Sequence, residues 1–83
     1  MNLNIYSIHD SKAIRFSAPF FVPNDQLAIR AFERAVLDPA SDVSHFPSDF
    51  TLYVLGQFDD ATGAIDLHPQ PKQLVNALNL KGN

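Results

Sequence analysis

Apolar and polar positions alternate through residues 2 to 9, where Leu3 and Ile5 fall on one side and Tyr6 and Ile8 on the other. Successive side chains of a strand point to opposite faces, so apolar residues on both predict a strand with neighbours on both sides. Asp10-Ser11 is turn material, and the alternation resumes over 12 to 18 with Ile14 and Phe16 inward and Lys12 and Arg15 outward, so the two segments form a hairpin. Pro19 and Pro23 bracket Phe20-Phe21-Val22, which therefore reads as a connector too interrupted for an interior strand, with aromatic rings still to bury. Asn24 is a natural N-cap, Asp25 suits the first turn, and Asp38-Pro39 is a stop, which predicts a helix over 25 to 37. At 100° per residue, Ala28, Ala31, Phe32, Ala35 and Val36 share its apolar face, Ile29 lies at the edge, and Arg30, Glu33 and Arg34 lie opposite.

Residues 39 to 49 carry loop signals and end at Pro47-Ser48-Asp49. The clearest strand is 50 to 58, with Phe50, Leu52, Val54 and Phe58 on one face and Tyr53 and Leu55 on the other, and it belongs at the centre of a sheet. Asp59 to Gly63 fits a hairpin loop with Gly63 in the left-handed conformation, after which 64 to 67 returns as a short strand ended by Pro69 and Pro71. Leu74, Val75 and Leu78 suggest a short helix or an extended tail over 72 to 80. The order strand, strand, helix, strand, strand predicts an α+β fold: an antiparallel sheet of two hairpins with one main helix packed on it through Phe32. One helix leaves the other sheet face partly uncovered, and that face or an unpaired edge is where a partner would bind.

At 83 residues, a division into two cores would leave about 40 residues each, so residues 1 to 83 read as a single domain. Apolar residues at 46% and charged ones at 18% belong to a folding chain rather than a disordered one. Small size, abundant aromatic residues and an exposed sheet edge that must be covered or paired also favour a homo-oligomer, a symmetric dimer first. The absence of Cys excludes disulfides, thiolate nucleophiles and Cys-based zinc sites. No apolar run approaches the roughly 18 residues of a membrane span and no basic residue precedes Lys12, so the expectation is a soluble intracellular protein without membrane association.

The net charge of -3 is unevenly spread. Four bases (Lys12, Arg15, Arg30, Arg34) lie within residues 1 to 36, while the stretch from Ala35 to Pro71 holds six carboxylates and no Lys or Arg. Binding to nucleic acid would thus need a local basic face, not the field of the whole molecule. His9, His45 and His68 have no metal-ligand spacing; Asp59, Asp60 and Asp66 could hold a divalent ion, but turn chemistry explains them more simply. No nucleophile motif, glycine-rich phosphate loop or shielded carboxylate pair is present, so neither an enzyme nor a cofactor is expected. Single-strand binders combine stacking rings with a basic groove, and the candidate residues for DNA here are Lys12, Arg15, Arg30, Arg34, Tyr6 and Tyr53. A plainer reading pairs Arg30 with Glu33 and Arg34 with Asp38 on a solvated helix face.

Residues 5 to 13 (Ile-Tyr-Ser-Ile-His-Asp-Ser-Lys-Ala), 18 to 25 (Ala-Pro-Phe-Phe-Val-Pro-Asn-Asp), 28 to 32 (Ala-Ile-Arg-Ala-Phe), 47 to 53 (Pro-Ser-Asp-Phe-Thr-Leu-Tyr), 55 to 63 (Leu-Gly-Gln-Phe-Asp-Asp-Ala-Thr-Gly) and Leu74-Val75 occur in an order that resembles the small non-structural protein of gokushoviruses. These are microviruses, tailless phages with circular single-stranded DNA genomes. The resemblance covers nearly the whole chain and implies an accessory protein of viral single-stranded DNA replication or packaging in the host bacterial cytoplasm. Such a protein would touch single-stranded DNA or dock on the viral replication initiator or procapsid protein. It assigns no role to any residue. The rival from another class is a host-directed interaction module, in which an acidic chain presents carboxylates to a basic bacterial protein.

Overall fold

The structure, a computed structural model, describes residues 1–81. Strand β1 (Asn2–Asp10) pairs along its full length with β4 (Phe50–Asp59), and both run antiparallel in the middle of the sheet. On the outer side of β1 lie two short strands, β2 (Arg15–Phe16) and β3 (Phe20–Val22), while β5 (Ile65–Asn76) borders β4. The main helix α1 (Asp25–Leu37) covers one face of this five-stranded sheet. The fold is thus α+β, with β1 and β4 central as their apolar patterns predict.

Several boundaries differ from the sequence reading. Only Arg15–Phe16 of the segment 12 to 18 is strand, because the chain turns over residues 11 to 14, where the Asp10 carboxylate accepts from the Lys12 and Ala13 amides. Ile14 sits there at φ 55° and 81% exposed, so neither it nor the half-exposed Phe16 points into the helix-side core. Phe20–Val22, taken as a connector, pairs with β1 after all. Proline is tolerated on an edge strand, and Pro19 simply divides one interrupted edge into β2 and β3. The same rule carries β5 through Pro69 and Pro71 as far as Asn76, where residues 68 to 71 bulge past Leu55 and the strand rejoins at Lys72. Residues 72 to 76 are therefore strand, and a 3₁₀ turn (Ala77–Asn79) follows it. Inside the segment 39 to 49, Ser41 caps a one-turn helix, α2 (Asp42–His45), and Pro47–Asp49 forms a 3₁₀ turn into β4.

The core forms where even-numbered residues of β1 and β4 meet α1. Tyr6, Leu52 and Val54 pack against Ala28, Phe32 and Val36, with Ala77 closing the end. Ala31 is exposed, so the helix buries a narrower stripe than its alanines suggested. The Asn24 side chain accepts from the Leu27 amide at 2.9 Å, which starts the helix as its N-cap. Asp25, one residue on, accepts a hydrogen bond from the Tyr6 hydroxyl at 2.5 Å and ties the helix to the central strand. At the other end Lys81 donates to the carbonyl and hydroxyl oxygens of Ser44, anchoring α2 to the C-terminal segment. Gly63 has φ 79° at the β4–β5 turn, as its placement predicts.

Candidate functional site

Because β1 alternates strictly between faces, its register sorts the whole sheet into a helix side and an open side. On the helix side fall Asn4, Tyr6, Ile8 and Asp10, paired with Arg15, Phe20 and Val22 on the outer edge. On the open side, His9 pairs with Phe16 and Thr51, Ser7 with Tyr53, Ile5 with Phe21 and Gly56, and Leu3 with Phe58. Across β4, Phe58 pairs with Ile65, Gly56 with Leu67 and Tyr53 with Gln73. No Asp, Glu, Lys or Arg occupies any of these open-side positions. The rings form two groups: His9, Phe16 and Tyr53 with centroids 4.6 to 6.0 Å apart, and Phe21 edge-on to Phe58 at 5.6 Å. Between them Ile5 is only 3% exposed without any helix above it, shielded by these larger neighbours.

The charges lie elsewhere. Arg30 and Arg34 line a hollow of about 220 Å³ with Val22, Leu27 and Ala31, which places them where α1 overhangs the β3 edge. Arg15 stands on β2, further along the same edge; β1 positions 4 to 10, which β3 and β2 flank, are about 20 Å apart at 3.3 Å per residue. Among the described residues the only ion pair joins the Met1 ammonium to Asp60, so the Arg30–Glu33 and Arg34–Asp38 pairs open to sequence reasoning are not formed. Arg15, Arg30 and Arg34 are free guanidinium groups on one flank.

Three of the sequence candidates are placed differently. Tyr6 is fully buried, its ring stacked at 5.7 Å on Phe20 and its hydroxyl held by Asp25 and Asn4, so it offers no face to a base. Its apolar neighbours in β1 gave that signal, since a residue opposite the helix anchor is core. Burial and the hydrogen bond to Asp25 push the Tyr6 phenol up to about 12. Lys12 lines a separate hollow of about 380 Å³ with Asp10, Asp42 and Asp49, where carboxylates outnumber it. Tyr53 belongs to the open face and not to the flank of Arg30 and Arg34. Sequence reasoning did not group His9 and Phe58 with the aromatic surface; the register of β1 on β4, which carries a bulge at Leu55, is what brings them there.

The aspartates at the β4–β5 turn are occupied locally. The Asp59 carboxylate accepts from the Ala61 amide at 2.9 Å, which holds it below the usual carboxylate range, and Asp60 accepts from the Met1 ammonium at 2.9 Å. Among the described residues no three His, Asp or Glu side chains converge as metal ligands would. Among the described residues no helix is long and apolar enough to cross a membrane.

The molecule is thus a two-layer α+β protein that carries its three arginines on one flank and an uncharged aromatic sheet face on the side away from the helix. Its sequence matches the family of the phage ORF5 protein over residues 3–80, and the chain belongs to that family of bacteriophage accessory proteins. No curated protein and no solved structure matches it.

Proposed function

We propose that this chain is a non-enzymatic accessory protein of the gokushovirus branch, acting in viral single-stranded DNA replication or packaging in the host bacterial cytoplasm. In this role it holds single-stranded DNA along the flank of Arg15, Arg30 and Arg34. The observation that carries the reading is that Arg30 and Arg34 line one hollow, Arg15 stands further along the same sheet edge, and none of the three forms an ion pair among the described residues. Arginine left unpaired is free to grip phosphate in a planar, bidentate way. A stripe of about 20 Å suits a few nucleotides, within the range of small single-strand binding modules. Because the aromatic rings face away from it, binding there is phosphate-dominated and steeply dependent on salt.

Fluorescence anisotropy with a labelled oligothymidylate about 20 nucleotides long tests the reading. Each lost phosphate contact lowers the log–log salt slope by about 0.7, so replacing all three arginines by Ala removes up to about 2 from it. Absence of binding by the unaltered chain at low salt refutes the DNA contact and leaves docking on the replication initiator or procapsid as the mode of action. The same variants introduced into the phage are expected to lower the yield of viral single strands relative to duplex; an unchanged ratio refutes the role.

A further inference from the structure

We propose that the open sheet face is a self-association surface on which a second copy of this chain packs, sheet against sheet, about a two-fold axis. Phe16 and Phe21 are 44% and 43% exposed there, and Ile65 and Leu67 59% and 63%. Contiguous apolar exposure of this kind marks an interaction surface in a soluble protein. It lies on the side of the sheet away from α1, so it is independent of the arginine flank and of the DNA reading.

The sheet edges do not compete for this role. Pro69 and Pro71 deprive the β5 edge of two amide donors, and the opposite edge consists of strands of two and three residues divided at Pro19. Both are blunted against strand addition. Covering the rings therefore takes a second layer about 10 Å above the sheet, as in aligned sheet sandwiches.

Charge and area point to a second copy. Each chain carries -3, so two copies repel except where they meet through neutral surface. An isologous interface sets groups near the axis against themselves, and any charge there would face its own sign. The open face satisfies that condition because its in-register positions carry no Asp, Glu, Lys or Arg. A strongly charged partner would find nothing there to complement. Ten residues of β4 span about 33 Å and four strand widths about 19 Å, a footprint of about 600 Å² per copy. Two such footprints, about 1,200 Å² in total, exceed the roughly 1,000 Å² that a specific interface has to clear.

Sedimentation of the whole chain from low to high micromolar concentration is expected to shift from 9.2 kDa to twice that mass. Phe21→Asp and Leu67→Asp should each weaken the dimer at least about tenfold, since either buries a charge at the interface. Leu37→Asp, on an equally exposed helix position, should leave it intact. Circular dichroism checks the fold, and Leu67→Asp serves if Phe21→Asp does not fold. A 9.2 kDa species alone at high micromolar concentration overturns the proposal, as does a dimer that survives both face variants or dissociates equally in Leu37→Asp. A monomer whose single-stranded DNA binding is abolished by Leu67→Asp would also overturn it, by assigning the face to nucleobases.

Discussion

The contact between Tyr6 and Asp25 makes a quantitative prediction, because one hydrogen bond joins the buried centre of the sheet to the first turn of the main helix α1. Replacing Tyr6 by Phe keeps the ring and its stack on Phe20 but deletes the hydroxyl. Asp25 is exposed and recovers water, whereas the half-buried Asn4 amide loses the acceptor it reaches at 2.9 Å. A hydrogen bond to a charged group contributes about 1.5 to 3 kcal/mol, and the hydration of Asp25 argues for about 2. In a chain of this size that lowers the melting temperature by about 8 to 16 °C.

The same contact fixes a pH signature. The phenol stands at about 12 in the folded chain against an ordinary 10.0, so folding favours its protonated form. A raised value on an acid means the stabilisation is complete below pH 10 and is lost as pH rises through 12. Two pKa units correspond to about 3 kcal/mol. Urea unfolding of both proteins between neutral pH and 12 reads the effect directly: the unaltered chain declines over this window and Tyr6→Phe lacks that component. Equal midpoints at neutral pH, or the same alkaline decline in both, would refute the reasoning.

Other substitutions test the packing. Phe32→Ala should cost about 3 to 5 kcal/mol, most of the roughly 5 to 8 expected of so small a domain, and leave the chain largely unfolded by circular dichroism at 37 °C. Gly56→Ala should destabilise strongly, by about 3 kcal/mol in denaturant melts, because a Cβ there would lie 2.4 Å from the Asp66 carbonyl oxygen and 2.7 Å from the Leu67 Cα, both backbone atoms of β5. Ile14→Asn should stabilise by about 1 kcal/mol in the same assay, since φ 55° is strained for a β-branched side chain that is almost wholly in solvent.

Much of the architecture was legible because its signals are local. The Asn24 cap, the Asp38-Pro39 stop and the alternation around Leu52 and Val54 each act over a few residues, and α1, β1 and β4 fall where they indicate. The errors arose at the sheet edges. Proline is incompatible with a central strand and compatible with an edge, and the sequence around Pro19, Pro69 and Pro71 does not distinguish them. Gly56 is a related case: the alternation of 50 to 58 gives it no special role, and the bulged path of β5 is what brings backbone against that position. For the site, Arg30 and Arg34 could be placed on the outer side of α1, but whether they paired with Glu33 and Asp38 depended on side-chain geometry. Tyr6 misled because a tyrosine suits both a stacking platform and a core with a polar tip.

The partition of charge across the sheet connects these points. β1 carries apolar residues on both faces, which in a small domain with one long helix means that one apolar face remains without a helix above it. That face spends its aromatic residues on one another and shields Ile5, while every charged residue of the paired strands is set on the helix side or beyond the sheet. Had the arginines been meant to work together with the exposed rings, the natural positions for them would be beside Phe21 and Tyr53, and those positions hold Ile5, Ser7 and Gln73 instead. The separation fits the two surfaces proposed above, one to neutralise phosphate at the edge and one to exclude water at the face. It also makes their contributions separable: salt should weaken the first and leave the second unaffected or slightly strengthened.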